Sequence, residues 1–363
     1  MKTFTISAER PSRADKSRRG FGGFWLLTSS CFVLALAGWA AGCRIPPEPR
    51  SPEVVRRSRP LLGTFVTMTA WGLPSQQLQE AMTEAFAEFE KTDWLMSNHR
   101  PESELNRFNR ASADEDFPLS PDLFEVLRTA SSISRQTKGA FDVTVQPLTQ
   151  LWGFIWKEHR FPRTDELASV LPRVGYTHLV LDEERRVARK RRPDLAFDLG
   201  GIAKGWAVDR ALDRLRAKGV RHAMVKAGGD LRVMGEAPGG GHWIVQLEDP
   251  EKGGRRVEVR LRDAALSTSG DYENFFVHEG RRYSHILDPR TGIPVRGVAS
   301  CTVVAPTCVE SDAWATACFV YGVRESLKDF GGRFSIRFML ASEKVEPGSG
   351  PGRVMETPGF PYR

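Results

Sequence analysis

Cysteine is scarce in this sequence: there are five in 363 residues, and two of them, Cys31 and Cys43, lie near the N-terminus. The other three, Cys301, Cys308 and Cys318, are too few and odd in number for a disulfide framework, although one bridge is open to them. No CxxC pair and no Cys/His spacing supports a zinc site. No G-x-G-x-x-G motif is present, which leaves a Rossmann cofactor site unsupported, and no internal repeat is visible. Strong compositional bias is also missing. With 40% hydrophobic and 27% charged residues, disordered, collagenous and multi-span membrane classes are excluded. The length allows one large domain or two ordinary ones. Basic charge is thin over most of the chain. Of the net +7, residues 1–43 contribute +4, so the remaining residues are nearly balanced. The clustered Arg185-Arg186 and Arg189 to Arg192 flank an expected turn and read as a solvated hairpin edge. No nucleic-acid partner is expected.

What is present begins with an address. Basic residues precede an apolar stretch from Phe24 to Gly42, which ends in Ala40-Ala41-Gly42-Cys43. A basic head, a short apolar run and small residues at the exit describe a secretory signal. Cys43 after the small triplet resembles a bacterial lipobox, with Ala40 where Leu is usual. Ser17-Arg18-Arg19-Gly20-Phe21 resembles a twin-arginine signal without the usual Leu-Lys. A permanent anchor is the alternative, since about 19 apolar or small residues just span a bilayer, although Thr28-Ser29-Ser30 interrupts the run. Both readings put the body outside the cytoplasm. The expected organisation is a signal segment over 1–42, a lipid-bearing Cys43 with an extended Pro-rich tether over 43–60, a catalytic body over 61–342 and a loose tail over 343–363.

In the body, alternation over Gly63–Trp71 predicts a strand. Leu78, Met82, Phe86, Phe89 and Leu95 predict a long amphipathic helix over Gln76–Leu95. Further helices are expected over Pro121–Lys138, Asp165–Leu171, Ile202–Lys218 and Glu310–Tyr321. Strands are expected at Phe141–Val145, His178–Leu181, Val187, Leu195–Phe197, Ala223–Lys226, Trp243–Leu247, Val257–Leu261, Phe275–Val277, Val298–Ala305 and Ser335–Leu340. Strands outnumber helices and do not alternate regularly with them, so the class is α+β and not doubly wound.

Four stretches can carry chemistry. Asp198-Leu-Gly-Gly-Ile-Ala-Lys204-Gly205 joins a strand end to a helix start. Exposed amides there attract a phosphate and Lys204 adds a cation, unless Asp198 is merely a helix cap. Gly228-Gly229-Asp230 permits a close backbone approach or only a turn. Asp312 and Thr316, four residues apart, share one helix face. Their oxygens suit Mg²⁺, while the plain alternative is a capping Asp and a back-bonding Thr. His285, between a strand and the Asp288-Pro-Arg-Thr-Gly292 turn, can act as a base near neutral pH. His159, His178, His222, His242 and His278 read as structural.

These motifs occur in the order that marks a known family. The chain resembles the ApbE-type flavin transferases, exported enzymes that attach FMN to a Thr or Ser of a partner protein. The likeness spans about residues 61–340. It is carried by Leu62-Gly63-Thr64, Ser97, Ser103-Glu104-Leu105, Asn109, Gly139 to Val145, Pro147-Leu148, Leu151-Trp152-Gly153, Asp198 to Gly205, Ala227 to Asp230, Ser267–Gly270, Ser284 to Gly292 and Asp312–Thr316. The resemblance implies a T-fold-like single large domain of two closely packed α+β halves. It implies that Ala140, Phe141, Asp142, Asp198 and Lys204 bind FAD, with Leu62, His99 and Ile286 as further contacts. It assigns a Mg²⁺ site to the Gly201 carbonyl, Asp312 and Thr316, and help for the incoming hydroxyl to His285. Leu62 stands where the family usually has Met, and His99 where it often has Tyr. The implied reaction cleaves the FAD pyrophosphate, transfers FMN and releases AMP. The implied partners are an acceptor flavoprotein, such as one in a membrane redox complex, and the membrane itself through Cys43. The alternatives are an FAD pyrophosphatase that uses water, and a non-catalytic flavin-binding lipoprotein.

Overall fold

In the computed structural model, residues 53–248, 256–341 and 353–362 are described. The expected signal segment, Cys43 with its expected lipid and the first part of the expected tether lie outside them. An eight-stranded antiparallel sheet organises the chain, and its strand order is the sequence order. Its strands are β1 (Val54–Leu61), β2 (Thr64–Trp71), β3 (His222–Ala227), β4 (Asp230–Met234), β5 (Ala265–Gly270), β6 (Val298–Ala305), β7 (Ser335–Leu340) and β8 (Val354–Glu356). Every neighbouring pair is antiparallel, so each long excursion returns beside the strand it left.

Helices α1 (Ser75–Met96), α3 (Ala203–Ala217) and α4 (Cys308–Tyr321) belong to the layer against the sheet, and α2 (Pro121–Gln136) packs beyond α4. On α1 the buried side chains Leu78, Ala81, Met82, Ala85, Phe86 and Phe89 recur every three or four residues, which is the stripe a surface helix needs. Helix α4 is apolar on nearly all sides, because it lies between the sheet and a second layer that includes Phe330 and Phe334. The opposite sheet face is covered by the hairpin Trp243–Glu248/Arg256–Leu261, whose Trp243, Val245 and Val259 pack on Leu231, Val233 and Leu266.

The α+β class and the single domain are as the sequence implies. Two large cores lie side by side, one built on α1 and β1–β3, the other on α2, α4 and β6–β7. They meet where α3 crosses α4. At that crossing the helices cap one another: Asp209 of α3 accepts from the Cys308 and Val309 amides, both at 2.9 Å. Asp312 of α4 accepts in return from the Gly205 amide at 2.8 Å. Orphan amides at both helix starts are thereby satisfied by the other helix. Gly205 makes the approach possible, since a Cβ there would lie 2.3 Å from the Cys308 carbonyl oxygen.

Several expectations need correction. Residues 54–60 of the expected tether form most of edge strand β1, in register with β2 from Val54 opposite Trp71 to Leu61 opposite Thr64. Part of the expected loose tail returns as β8, and Phe360 is buried against the sheet-capping hairpin. The expected strands Phe141–Val145 and Leu195–Phe197 reduce to one parallel bridge between Val145 and Ala196. Local hydrogen bonding wins there, because the Asp142 carboxylate accepts from the Thr144 amide, the Thr144 hydroxyl and the Tyr176 amide at 2.9, 2.7 and 2.6 Å. Central strand β5 escapes alternation because its sequence, Ala-Leu-Ser-Thr-Ser-Gly, is mostly small and polar. The Arg185–Arg192 cluster flanks a hairpin, as expected, and Asp116, Asp182 and Asp194 take up much of its charge. Cys301, Cys308 and Cys318 are buried and unbridged.

Candidate active site

A cavity of about 640 Å³ opens where the two cores meet, and every site residue singled out from the sequence lines it: Leu62, His99, Ala140, Phe141, Asp142, Asp198, Gly201, Lys204, His285, Ile286, Asp312 and Thr316. They come from segments far apart in the chain. Leu62 and Gly63 form the two-residue turn between β1 and β2 with φ of 50° and 69°. Positive φ at both positions matches the twist of the flanking strands. A leucine held there costs about 1 kcal/mol, and its position puts the side chain in the cavity wall. The loop carrying His99 is tied by Asn106, whose amide donates to the carbonyls of Ser97, Asn98 and Arg100 at 3.3, 3.0 and 2.8 Å. His99 meets the exposed Trp156 ring edge-on at 5.3 Å.

After α2, Lys138 and Gly139 turn the chain with positive φ, and the Phe141 amide donates to the Thr137 hydroxyl at 3.2 Å. Phe141 packs beside Gly201, where a Cβ would come 3.4 Å from its ring and 3.3 Å from the Thr316 hydroxyl. The Asp142 carboxylate accepts three bonds that hold its own loop, and burial raises its pKa. Asp198 is not a cap of α3, which begins five residues later. One of its oxygens accepts from the Gly200 amide at 2.9 Å and the other from the Thr149 hydroxyl at 3.3 Å. Its pKa is raised by burial, against the pull of those two bonds.

The charged floor lies at the α3–α4 crossing. Lys204 Nζ is 2.5 Å from Asp230 and 3.7 Å from Asp312, whose side chains are 3% and 4% exposed. Burial acts against the ammonium, yet the two carboxylates hold its pKa well above the usual range. Burial and the neighbouring Asp230 carboxylate push Asp312 up to about 7, although Lys204 opposes them. Thr316 does not bond back to its own helix; its hydroxyl lies 3.0 Å from that of Ser269 on β5. His285 is pushed down to about 4, chiefly by burial and also by Lys204, against its bond to the Asn274 carbonyl. Sequence reasoning leaves Gly228-Gly229-Asp230 as either a turn or a close backbone approach, counts it among the motifs of the resemblance, and gives Asp230 no role in the site. The available signals are an acid at a strand start after two glycines and the place of that motif in the resemblance.

Lys204 is the one Lys or Arg among the lining residues, against six Asp or Glu: Asp93, Asp142, Asp198, Asp230, Glu273 and Asp312. Such a cavity repels a polyphosphate unless a cation intervenes. The residues fit a hard divalent ion: Asp312 is a buried carboxylate without enough positive charge, and the Thr316 and Ser269 hydroxyls and the Gly201 segment lie beside it. Among the described residues no cluster of three His, Cys, Asp or Glu has metal-holding geometry. Any ion here would therefore draw on hydroxyls, carbonyls, water or the ligand itself.

The model of the ApbE family matches residues 62–331. A Vibrio cholerae protein named FAD:protein FMN transferase is 37% identical over 308 residues, covering 82% of this chain and 87% of its own. An Escherichia coli protein of the same name is 30% identical over 300 residues, covering 80% and 86%. The solved structure of the flavin transferase ApbE from Vibrio cholerae superposes with a TM-score of 0.75 at 32% identity, covering 85% of this chain and 98% of that one. The Thermotoga maritima apbe protein superposes with a TM-score of 0.76 at 30% identity, covering 85% and 98%.

Proposed function

The chain belongs to the ApbE family, and from that premise we propose that it is a Mg²⁺-dependent FAD:protein FMN transferase acting on a Thr or Ser of a partner protein. The observation that carries this reading is the imbalance at the α3–α4 crossing, where Asp230 and Asp312 surround a single Lys204 in the dinucleotide-sized cavity.

The residues divide the work as follows. Asp312, Thr316 and the Gly201 carbonyl would hold the metal, with Lys204 fixing the carboxylates rather than pointing freely at the substrate. When bound, Mg²⁺ neutralises phosphate oxygens and stabilises charge developing on them. Leu62, His99, Phe141 and Ile286 supply apolar and aromatic walls for the flavin and adenine rings, while the Asp198–Gly201 turn lets backbone approach the ligand closely. His285 is neutral at pH 7 and takes the proton of the attacking hydroxyl, a role worth about 10²–10⁴-fold. The hydroxyl oxygen bonds to the FMN-side phosphorus as that phosphorus releases AMP. The partner protein supplies the nucleophile, so no covalent bond to this enzyme is required.

Incubation with FAD, Mg²⁺ and a flavin-acceptor domain should yield a covalent flavin adduct by mass spectrometry and one AMP per adduct. AMP without an adduct would favour the hydrolase, and binding without AMP a flavin carrier. The body acts outside the cytoplasm, anchored through a lipid on Cys43, with its acceptor on the same side of the membrane. Full-length protein should fractionate with membranes, and Cys43→Ser should release it.

A further inference from the structure

The reaction proposed above needs a particular form of His285, and the inference here rests on that reading. His285 Nδ1 lies 3.1 Å from the Asn274 carbonyl oxygen, which also accepts from the His285 backbone amide at 2.9 Å. A carbonyl has no proton to give, so Nδ1 carries the hydrogen and Nε2 keeps the lone pair. The Asn274 side chain is itself held at both ends. Its Nδ2 donates to the Phe154 carbonyl at 3.4 Å, which turns Oδ1 toward His159 Nε2 at 3.0 Å. His159 is therefore the donor of that pair. Its ring is held by Phe276, parallel to within 15° at 5.4 Å, and by Phe154 at 5.3 Å. Asn274 and His285 line the cavity, whereas His159 does not.

We infer that His159 is a positioning residue: by fixing the Asn274 amide it holds the carbonyl of residue 274 on His285 Nδ1 and so keeps Nε2 free to receive the hydroxyl proton. In the step it serves, the O–H bond of the acceptor breaks, its oxygen bonds to phosphorus, the bond from phosphorus to the AMP oxygen breaks, and the proton goes to Nε2. The sequence alone offers no hint of this, because His159 lies 126 positions before His285.

The test compares wild type with His159→Phe, which keeps the ring stack but loses the donor, and His159→Gln, which restores an N–H. Ring ¹⁵N shifts of histidine-labelled full-length protein, with the His285 signals identified by their loss in His285→Asn, report the tautomer directly. Wild type should show a protonated Nδ1 and a bare Nε2, and His159→Phe a mixture of tautomers. The same variant should lose about 10–100-fold in kcat for FMN transfer with KM for FAD within about twofold, and His159→Gln should recover most of it. A wild-type His285 protonated on Nε2 would overturn the inference, as would His159→Phe with unchanged ring shifts or unchanged kcat. If wild type transfers no FMN, the proposed function fails instead, and the ring shifts still decide whether His159 sets the tautomer.

Discussion

Replacing Gly205 by alanine tests the α3–α4 crossing most sharply, because helix propensity and tertiary geometry predict opposite signs. In an isolated helix the change is worth about 1 kcal/mol of stabilisation. In the folded protein the new Cβ would sit 2.3 Å from the Cys308 carbonyl oxygen and 2.7 Å from both the Cys308 carbonyl carbon and the Asp312 Cβ. Ordinary contact is about 3.5–4.0 Å, so the helices must part by roughly 1 Å. Overpacking of this kind costs about 1–3 kcal/mol. Parting also stretches the 2.8 Å bond from the Gly205 amide to Asp312, a charge-assisted bond worth about 1.5–3 kcal/mol. After the propensity gain is subtracted, a net loss of about 1.5–5 kcal/mol is expected. At about 2–4 °C per kcal/mol for a chain of this class, the thermal midpoint should fall by roughly 3–20 °C. Gly332→Ala is the matched control, since a Cβ there meets nothing within 4 Å. Differential scanning fluorimetry of both variants decides the matter. A Gly205→Ala midpoint equal to that of the control would refute the reasoning.

Asp312→Asn or Thr316→Val should lower Mg²⁺-dependent turnover by about 10²-fold or more while FAD still quenches protein fluorescence; unchanged turnover would remove these residues from the metal site. His285 is neutral in the folded state down to about 4, whereas its ordinary value is 6.5. Between those values the unfolded chain binds the extra proton, so stability should fall as pH drops from about 6.5 to 4, by roughly 3 kcal/mol in all. His285→Asn should flatten that part of the profile, and denaturant melts at pH 7 and pH 4.5 would show whether it does. Asp209→Ala should cost about 3–5 kcal/mol, since it strips the α4 amides of their cap and leaves the largely buried Arg232 without its 2.8 Å partner. A urea midpoint within error of wild type would contradict that account.

Much of the site is legible in the amino-acid sequence, for a specific reason. Short motifs such as Asp198 to Gly205 and Asp312 to Thr316 combine a sharp turn or one helix face with reactive oxygens, and residue type and spacing encode both locally. The same locality misleads at Phe141–Val145. An apolar alternation there predicts a strand, but the intervening Asp142 finds three donors and folds the segment into a loop. It misleads again at both ends of the body, where the charged segment Val54–Leu61 and a short strand within a Gly- and Pro-rich tail pair as edge strands β1 and β8. Edge positions tolerate such residues because one side of the strand stays open.

By itself, the sequence determined the α+β class, the main helices and most strands, the resemblance to a flavin-transferring family and the residues that meet in one cavity. The class and elements follow from periodicity, and the site residues are what the ordered motifs of the family resemblance imply. Only the tertiary structure decided how those residues are employed. It turned Asp142 inward, held Lys204 between Asp230 and Asp312, let two helices cap each other across Gly205 and linked His159 to His285 through Asn274. Hydrogen bonds and charge pairs act over about 3–4 Å in space, and no rule of spacing along the chain predicts which distant segments will come that close.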